Sequence, residues 1–363
     1  MTFETFLLIV TVVYVLQGLV FLAGLRRLRD SDTGVQSFVS VVIAARNEAD
    51  NLDACLRSVL TQTYPADKYE VILADDGSTD DTLGIARRFS AGDSRLHCVS
   101  VTEHSSMRGK SNALAQAIDV ARGEVVLITD ADCVVPPTWV EHTAKRYAPG
   151  VGLVGGVTLH RATSAFEGIQ CLDWAFLLGT AASTAGLGYP LSSIGNNLSF
   201  RRRAYDEVGG YRALKFSVTE DYTIVQAIVR SGRWKYSYPI DPRVLVETRP
   251  CPDLKTLVRQ KQRWGKGGLD MRLGGLLIMV IGFAMHLSPF VMLYWGGVVA
   301  AASALMAKFV VDYAFLYSVL QRLGRTDELK YFYWFEVYFI LYVLALPFLV
   351  FFGGRVHWKG RTF

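Results

Sequence analysis

FVSVVIAARNEADNLDACLRSVL, residues 38–60, and EVILADDGSTDDTLGIARRFS, residues 70–90, each open on an apolar, β-branched run and close on a helix-like segment. Apolar runs that are continuous rather than alternating suit strands buried on both faces of a parallel sheet. Two more follow, LHCVSV at 96–101 and EVVLIT at 124–129. Helix-like segments at 49–60, 81–90 and 110–121 separate the runs, with Asp80 as a capping candidate for the second. This alternation predicts an open α/β sheet with right-handed crossovers. In such sheets ligands bind beyond the carboxyl ends of the strands. The polar clusters fall there: Ala45, Arg46, Asn47 and Glu48 after the first strand, Asp75, Asp76, Gly77 and Ser78 after the second, and Asp130, Ala131 and Asp132 after the last.

The rest of the chain explains why 363 residues can be 51% hydrophobic and still 20% charged. Residues 3–25, FETFLLIVTVVYVLQGLVFLAGL, are long enough to cross a bilayer as a helix, and Arg26, Arg27 and Arg29 follow at once. Basic flanks stay cytoplasmic, which places the next domain in the cytosol. A cleaved signal peptide would carry its positive charges before the apolar run instead. The expected organisation is an N-terminal transmembrane helix at 1–29, a cytosolic domain at 30–252 and a basic interfacial helix at 253–272. A membrane region of about three segments at 273–353 and a basic tail at 354–363 complete it. Three C-terminal spans put the tail outside, whereas Arg355, Lys359 and Arg361 argue for inside, so one segment is expected to lie flat or re-enter. In the apolar region Lys308 and Asp312 stand at i, i+4, as a neutralising pair or as the lining of a lipid groove.

Five scattered cysteines fit a reduced cytosolic domain rather than a disulfide or zinc framework. The six histidines are dispersed, and none is assigned as a ligand. A net charge of +5 suits an anionic membrane surface and gives no ground for a nucleic-acid partner. RGKS at 108–111 has the ending of a phosphate-binding loop, but His104 stands where its first glycine belongs.

Individually the polar clusters have bland readings as well as chemical ones. Asp75 to Asp80 is equally a strand-to-helix turn with a cap, or a place for Asp75 to accept the imide N–H of a uracil base. Asp130 and Asp132 repel each other unless a cation joins them, and oxygen-only ligands favour Mg²⁺ or Mn²⁺. Lys110, opening a helix, can offer its ammonium and the helix N-terminus to a diphosphate, or be a surface lysine. Glu220 and Asp221 can cap a helix. The segment around Gln260-Lys261-Gln262-Arg263-Trp264 has six basic residues and reads as a cationic interfacial helix.

Taken in order, VSVVIAARNEADNL (39–52), LADDGSTDDT (73–82), GKSNALAQAI (109–118), ITDADC (128–133), IGNNLSFRRRAYDEVGGY (194–211), TEDY (219–222) and QKQRW (260–264) resemble family 2 of the glycosyltransferases. These are inverting enzymes of GT-A fold, a Rossmann-like, mostly parallel α/β sheet, and include hyaluronan, chitin and cellulose synthases and ceramide glucosyltransferase. The resemblance implies that Ala45, Glu48 and Asp75 hold a uridine with Asp76 nearby, and that Lys110 reaches the phosphates or donor sugar. It implies that Asp130 contacts ribose or sugar and that Asp132, beside Asp130, ligates Mg²⁺ or Mn²⁺. Gly195, Asn196 and Asn197 would line the junction of donor and acceptor, and Asp221, next to Glu220, would be the catalytic base. Gln260 and Arg263 would face the diphosphate, and Trp264 the acceptor entrance.

One span before the domain and about three after it look more like ceramide glucosyltransferase than like a polymer-extruding synthase. The expectation is therefore a multi-pass membrane enzyme, its catalytic domain on the cytoplasmic face. It would transfer a single hexose, by default glucose from UDP-glucose, to a hydroxyl of a membrane lipid. A processive polysaccharide synthase, a polyprenyl-phosphate sugar transferase and a catalytically dead sugar-nucleotide binder are the alternatives.

Overall fold

The computed structural model describes residues 2–28, 34, 36–104, 107–215, 217, 219–268, 271–352 and 354, and the backbone of 357–358 and 361–362. Arg29, Arg355 and Lys359 lie outside the described residues, as does the side chain of Arg361. The chain divides into two compact units, one of Leu28–Leu159 with Ser192–Arg249, the other of Met1–Arg27, His160–Leu191 and Pro250–Phe363.

In chain order the elements are α1 (Phe3–Arg27), β1 (Val39–Ala45), α2 (Ala49–Leu60), β2 (Tyr69–Asp75), α3 (Thr82–Gly92), β3 (Leu96–Ser100), α4 (Lys110–Val120) and β4 (Val125–Asp130). There follow β5 (Cys133–Val134), α5 (Trp139–Ala144), β6 (Val151–Gly155), β7 (Thr158–His160), α6 (Ala165–Gly186), β8 (Leu198–Arg201) and α7 (Arg202–Glu207). The last described helices and central strands are α8 (Glu220–Arg230), β9 (Lys235–Ser237), β10 (Val246–Thr248), α9 (Leu254–Gly268), α10 (Leu273–Tyr294), α11 (Val298–Leu323) and α12 (Phe332–Phe352).

The first unit is a seven-stranded sheet of order β3-β2-β1-β4-β8-β6-β9. Strands β1 to β4 are parallel, whereas β8 runs antiparallel to both its neighbours, so the sheet is mixed but mostly parallel. Alternate residues of β1 point into separate cores. Val41 and Ile43 pack with Leu52 and Leu56 of α2, while Val42 packs with Leu114 and Ile118 of α4. With both faces covered, β1, β2 and β4 have no solvent face to mark by alternation, which is why they carry continuous apolar runs. Chain order runs outward from β1 to β3 and then returns to β4 on the other side, so β1 and β4 flank the topological switch point.

The second unit is helical. It includes four helices long and apolar enough to cross a membrane: Phe3–Arg27, Leu273–Tyr294, Val298–Leu323 and Thr326–Phe352. Along one seam Leu7, Val10, Tyr14, Met285, Met292, Ala301 and Ala304 form one cluster. One boundary differs from the expected 30–252 domain: α6 lies inside that range but belongs to the helical unit. The reason is its composition. Gly179, next to Val319 and Phe315, and Ser183, whose backbone meets Gly24, let neighbouring helices approach closely.

Candidate active site

The loops after β1 and β2 are locked to one another. Asn47 adopts φ 52°, a left-handed conformation that asparagine tolerates better than most residues, and Gly77 adopts φ 68°. The turns exchange hydrogen bonds: Asn47 N–H donates to Ser78 Oγ at 3.0 Å, and Thr79 N–H to Asn47 Oδ1 at 2.8 Å. Glu48 N–H donates to Thr82 Oγ1 at 2.8 Å. Asp80 accepts from Ala49 N–H and Thr82 N–H, both at 3.0 Å. Burial pushes the Asp80 carboxyl up, but these donors and the Thr82 hydroxyl outweigh it and hold the group below its ordinary value. Arg46 donates to the carbonyl of Asp76.

This frame sets the strand ends. Ala45 lies opposite Asp75 in the β1–β2 register, and Ala44 opposite Asp130 in β1–β4, so two acidic strand ends flank β1. The Asp75 carboxylate is only 5% exposed and meets Ser78 N–H at 3.3 and 3.4 Å. Asp76, next to it in the chain, and Glu48, in the loop after β1, are also buried, and Glu48 Oε2 accepts from Asn51 at 2.8 Å.

Around the switch point four charged side chains meet. Gly109, at φ 62°, turns the chain into α4 so that Lys110 is its first residue. Lys110 Nζ lies 2.6 Å from Asp130 Oδ1 and 3.3 Å from Glu220 Oε1. Burial alone would push the Lys110 ammonium down, but Asp130, Glu220 and Asp221 override it and hold the group well above its ordinary range. Asp221, in the first turn of α8, accepts from Gly195 N–H on Oδ2 and from Tyr222 N–H on Oδ1, each at 2.8 Å. These donors orient the carboxylate. Gly195 fits tightly: a Cβ there would stand 3.2 Å from Asp221 Cβ, 3.3 Å from its Oδ2 and 3.4 Å from Lys110 Nζ, so its neighbours would have to give by a few tenths of an ångström.

One lysine among three carboxylates leaves a surplus of negative charge, and Asp132 adds to it two residues beyond Asp130. Asp132 Oδ1 accepts from the Cys133 thiol at 3.4 Å. Burial first, then Asp132 and Asp130, push the thiols of Cys55 and Cys133 well above their ordinary range, so neither offers a thiolate. Among the described residues no three His, Cys, Asp or Glu side chains form a ready metal cage. Two carboxylates without soft ligands suit a hard divalent ion that completes its shell with phosphate oxygens and water.

The two asparagines of the candidate acceptor junction are held inside the fold. Asn196 Oδ1 accepts from Thr158 Oγ1 at 2.8 Å. Asn197 accepts from Trp139 Nε1 at 3.0 Å and donates to the carbonyls of Val157 at 2.8 Å and Val244 at 3.0 Å. Asn197 thus braces the loop that presents Gly195.

Gln260, Arg263 and Trp264 lie on α9, in the helical unit. There Lys261, between Gln260 and Arg263, is buried in an ion pair with Asp173 of α6 and sits 4.6 Å from the ring centroid of Trp264 and 5.0 Å from that of Tyr342. Trp264 packs on Trp174, with ring centroids 5.2 Å apart. Arg263 has no ion pair among the described residues. The reading of motifs missed Asp173 and Lys261; the signal was an aspartate within the apolar run of α6, which demands a cation nearby. The Lys308–Asp312 pair also turns out larger than expected. Lys308 reaches Asp312 at 2.7 Å and Glu336 at 2.6 Å, and the Tyr14 hydroxyl donates to Asp312 at 2.7 Å.

Residues 40–223 match the family model described as Glycosyl transferase family 2. Among curated relatives, a poly-beta-1,6-N-acetyl-D-glucosamine synthase of Staphylococcus epidermidis is 28% identical over 246 residues, 65% of this chain and 55% of that protein. A beta-monoglucosyldiacylglycerol synthase of Nostoc sp. is 27% identical over 256 residues, 69% of this chain and 53% of that protein. The chain thus spans about half the length of these relatives. The mannosyltransferase PcManGT of Pyrobaculum calidifontis, solved with GDP-Man and Mn²⁺, shares the fold with a TM-score of 0.62 at 20% identity, over 97% of this chain and 99% of that one.

Proposed function

The chain belongs to glycosyl transferase family 2, and from that premise we propose that it moves one hexose from UDP-hexose, glucose by default, onto a hydroxyl of a membrane lipid with inversion at the anomeric carbon. The observation that carries the reading is the cluster of Lys110, Asp130, Glu220 and Asp221 around Gly195 at the sheet's switch point. It holds an oriented carboxylate beside a cation and an excess of negative charge.

Asp221 is the proposed base. Its Oδ2 takes the proton of the acceptor hydroxyl while that oxygen bonds to the anomeric carbon; the bond to the diphosphate oxygen breaks and its electron pair departs with the nucleotide. Gly195 N–H keeps the carboxylate aimed, and Lys110 transfers part of its charge pairing from Asp130 to the phosphates or the sugar. Asp75 accepts the imide N–H of the base, with Ala45, Glu48 and Asp76 shaping its pocket. Asp130 and Asp132 would hold a Mg²⁺ or Mn²⁺ ion, which when bound neutralises the diphosphate. That assignment draws on the surplus carboxylates and on the Mn²⁺ of the mannosyltransferase that shares the fold. Arg263 would steady the leaving group, with Gln260 beside it, and Trp264 would border the acceptor.

Support for a lipid acceptor comes from the four apolar helices and from similarity to a glucosyldiacylglycerol synthase. Arg26 and Arg27 in the last turn of α1 support a catalytic domain on the cytoplasmic face. The test combines purified enzyme, a panel of UDP- and GDP-hexoses and a lipid with a free hydroxyl. A single added-hexose mass that stops at one is the expected product. A ladder of sugars, or soluble polymer made without lipid, would establish the synthase activity named for the Staphylococcus relative.

A further inference from the structure

Within the helical unit α1 and α11 run side by side and in the same direction. They touch closely at mid-length, where a Cβ on Gly18 would collide with Val311 and the rings of Phe21 and Phe315 stand 5.7 Å apart. Toward their carboxyl ends they leave a groove of about 570 Å³. Leu22, Leu25, Tyr313 and Tyr317 supply its apolar walls, and the polar end holds Arg26, Gln321 and Arg322. From Tyr313 to Arg322 the helix rises ~13 Å, the reach of a headgroup and the first carbons of a chain.

Neither Arg26 nor Arg322 has an ion pair among the described residues. Arginines in the last turn of a helix complement its dipole, which accounts for their presence at these ends. It does not account for two of them converging on one cavity whose remaining walls are mainly apolar and which lies between helices long enough to cross a bilayer. Basic pockets between membrane helices suit anionic headgroups. We propose that this groove binds one anionic phospholipid, its phosphate between Arg26 and Arg322 and an acyl chain along Leu22, Leu25 and Tyr313.

The test is titration of the full chain, in non-ionic detergent, with phosphatidylglycerol or phosphatidylcholine, read by native mass spectrometry. One tightly held phosphatidylglycerol adduct is expected, with phosphatidylcholine bound more weakly. The double variant Arg26→Gln, Arg322→Gln should weaken the adduct by roughly 30-fold, about a factor of five for each interfacial cation. Arg27→Gln, next to Arg26 but outside the groove, should change it less than about two-fold. Ala314→Trp, which fills the groove and leaves its charges intact, should abolish the adduct. Undiminished binding by the double variant would overturn the proposal, as would an Arg27→Gln effect equal to that of Arg26→Gln. Displacement by inorganic phosphate alone would make this a free-anion site, and a dimer mass lost on Ala314→Trp would make a second copy the occupant; either result sinks the lipid assignment.

Discussion

Both units set a lysine among carboxylates, yet the two settings differ. Lys110 is 15% exposed, and its partners Asp130 and Glu220 are 31% and 15% exposed. Lys308 and Asp312 are each 1% exposed, Glu336 is 7%, and the Tyr14 hydroxyl adds a further donor. The first cluster is open to a ligand, carries surplus negative charge and is bordered by a glycine whose added Cβ would crowd Asp221 and Lys110. The second is closed on every side by apolar helices, so its charges answer mainly to one another. Similar chemistry is thus proposed to serve reaction in one place and helix assembly in the other; access and charge balance make the difference.

The comparison breaks most visibly at Lys308. Lys308→Met should destabilise the protein by about 3–5 kcal/mol, because two buried carboxylates lose their cation. A thermal melt in detergent indistinguishable from wild type would show that the cluster is not a structural lock. Asp221→Asn should do the reverse. Turnover should fall ~10²-fold or more, equivalent to ~2.7 kcal/mol, with melting temperature and donor affinity nearly unchanged. Retention of more than about a tenth of wild-type turnover would exclude Asp221 as the base.

Asp132→Ala should weaken donor binding, and chelation should stop the wild-type reaction while the fold persists, since the metal is proposed for the open cluster alone. Full turnover in EDTA after verified metal removal would refute that role. The mildest expected effect is that of Gly195→Ala, where the added Cβ moves its neighbours by a few tenths of an ångström. Roughly a three- to ten-fold loss in kcat with unchanged donor KM is expected, since misplacement by 1 Å costs on the order of 10²-fold. An unaltered kcat would show that the close approach of Gly195 to Asp221 has no catalytic consequence.

Much of the open cluster was legible before any coordinates. Asp75, Asp130 and Lys110 stand at strand ends or a helix start, and local apolar runs locate those ends. The loop partners were less legible: Asn47 meets Ser78 and Thr79 across some thirty positions, because the adjacency of β1 and β2 brings their turns together. The partners of the Asn197 amide, Trp139, Val157 and Val244, were likewise not legible, because they come from distant parts of the chain. The helix Ala165–Gly186 interrupts the sequence of the first unit, and no local pattern marks it as packing with the other long helices.

By itself the sequence determined the β/α alternation, the membrane-length helices and the acidic strand ends, because burial on both faces and hydrocarbon thickness act on contiguous residues. Only the tertiary structure decided which charges neutralise one another. Tyr14 and Asp312 are 298 positions apart, Lys261 and Asp173 88 apart, and Lys308 and Glu336 28 apart. A charge removed from water must find its partner in space, and no local pattern encodes a partner brought in by a separate helix.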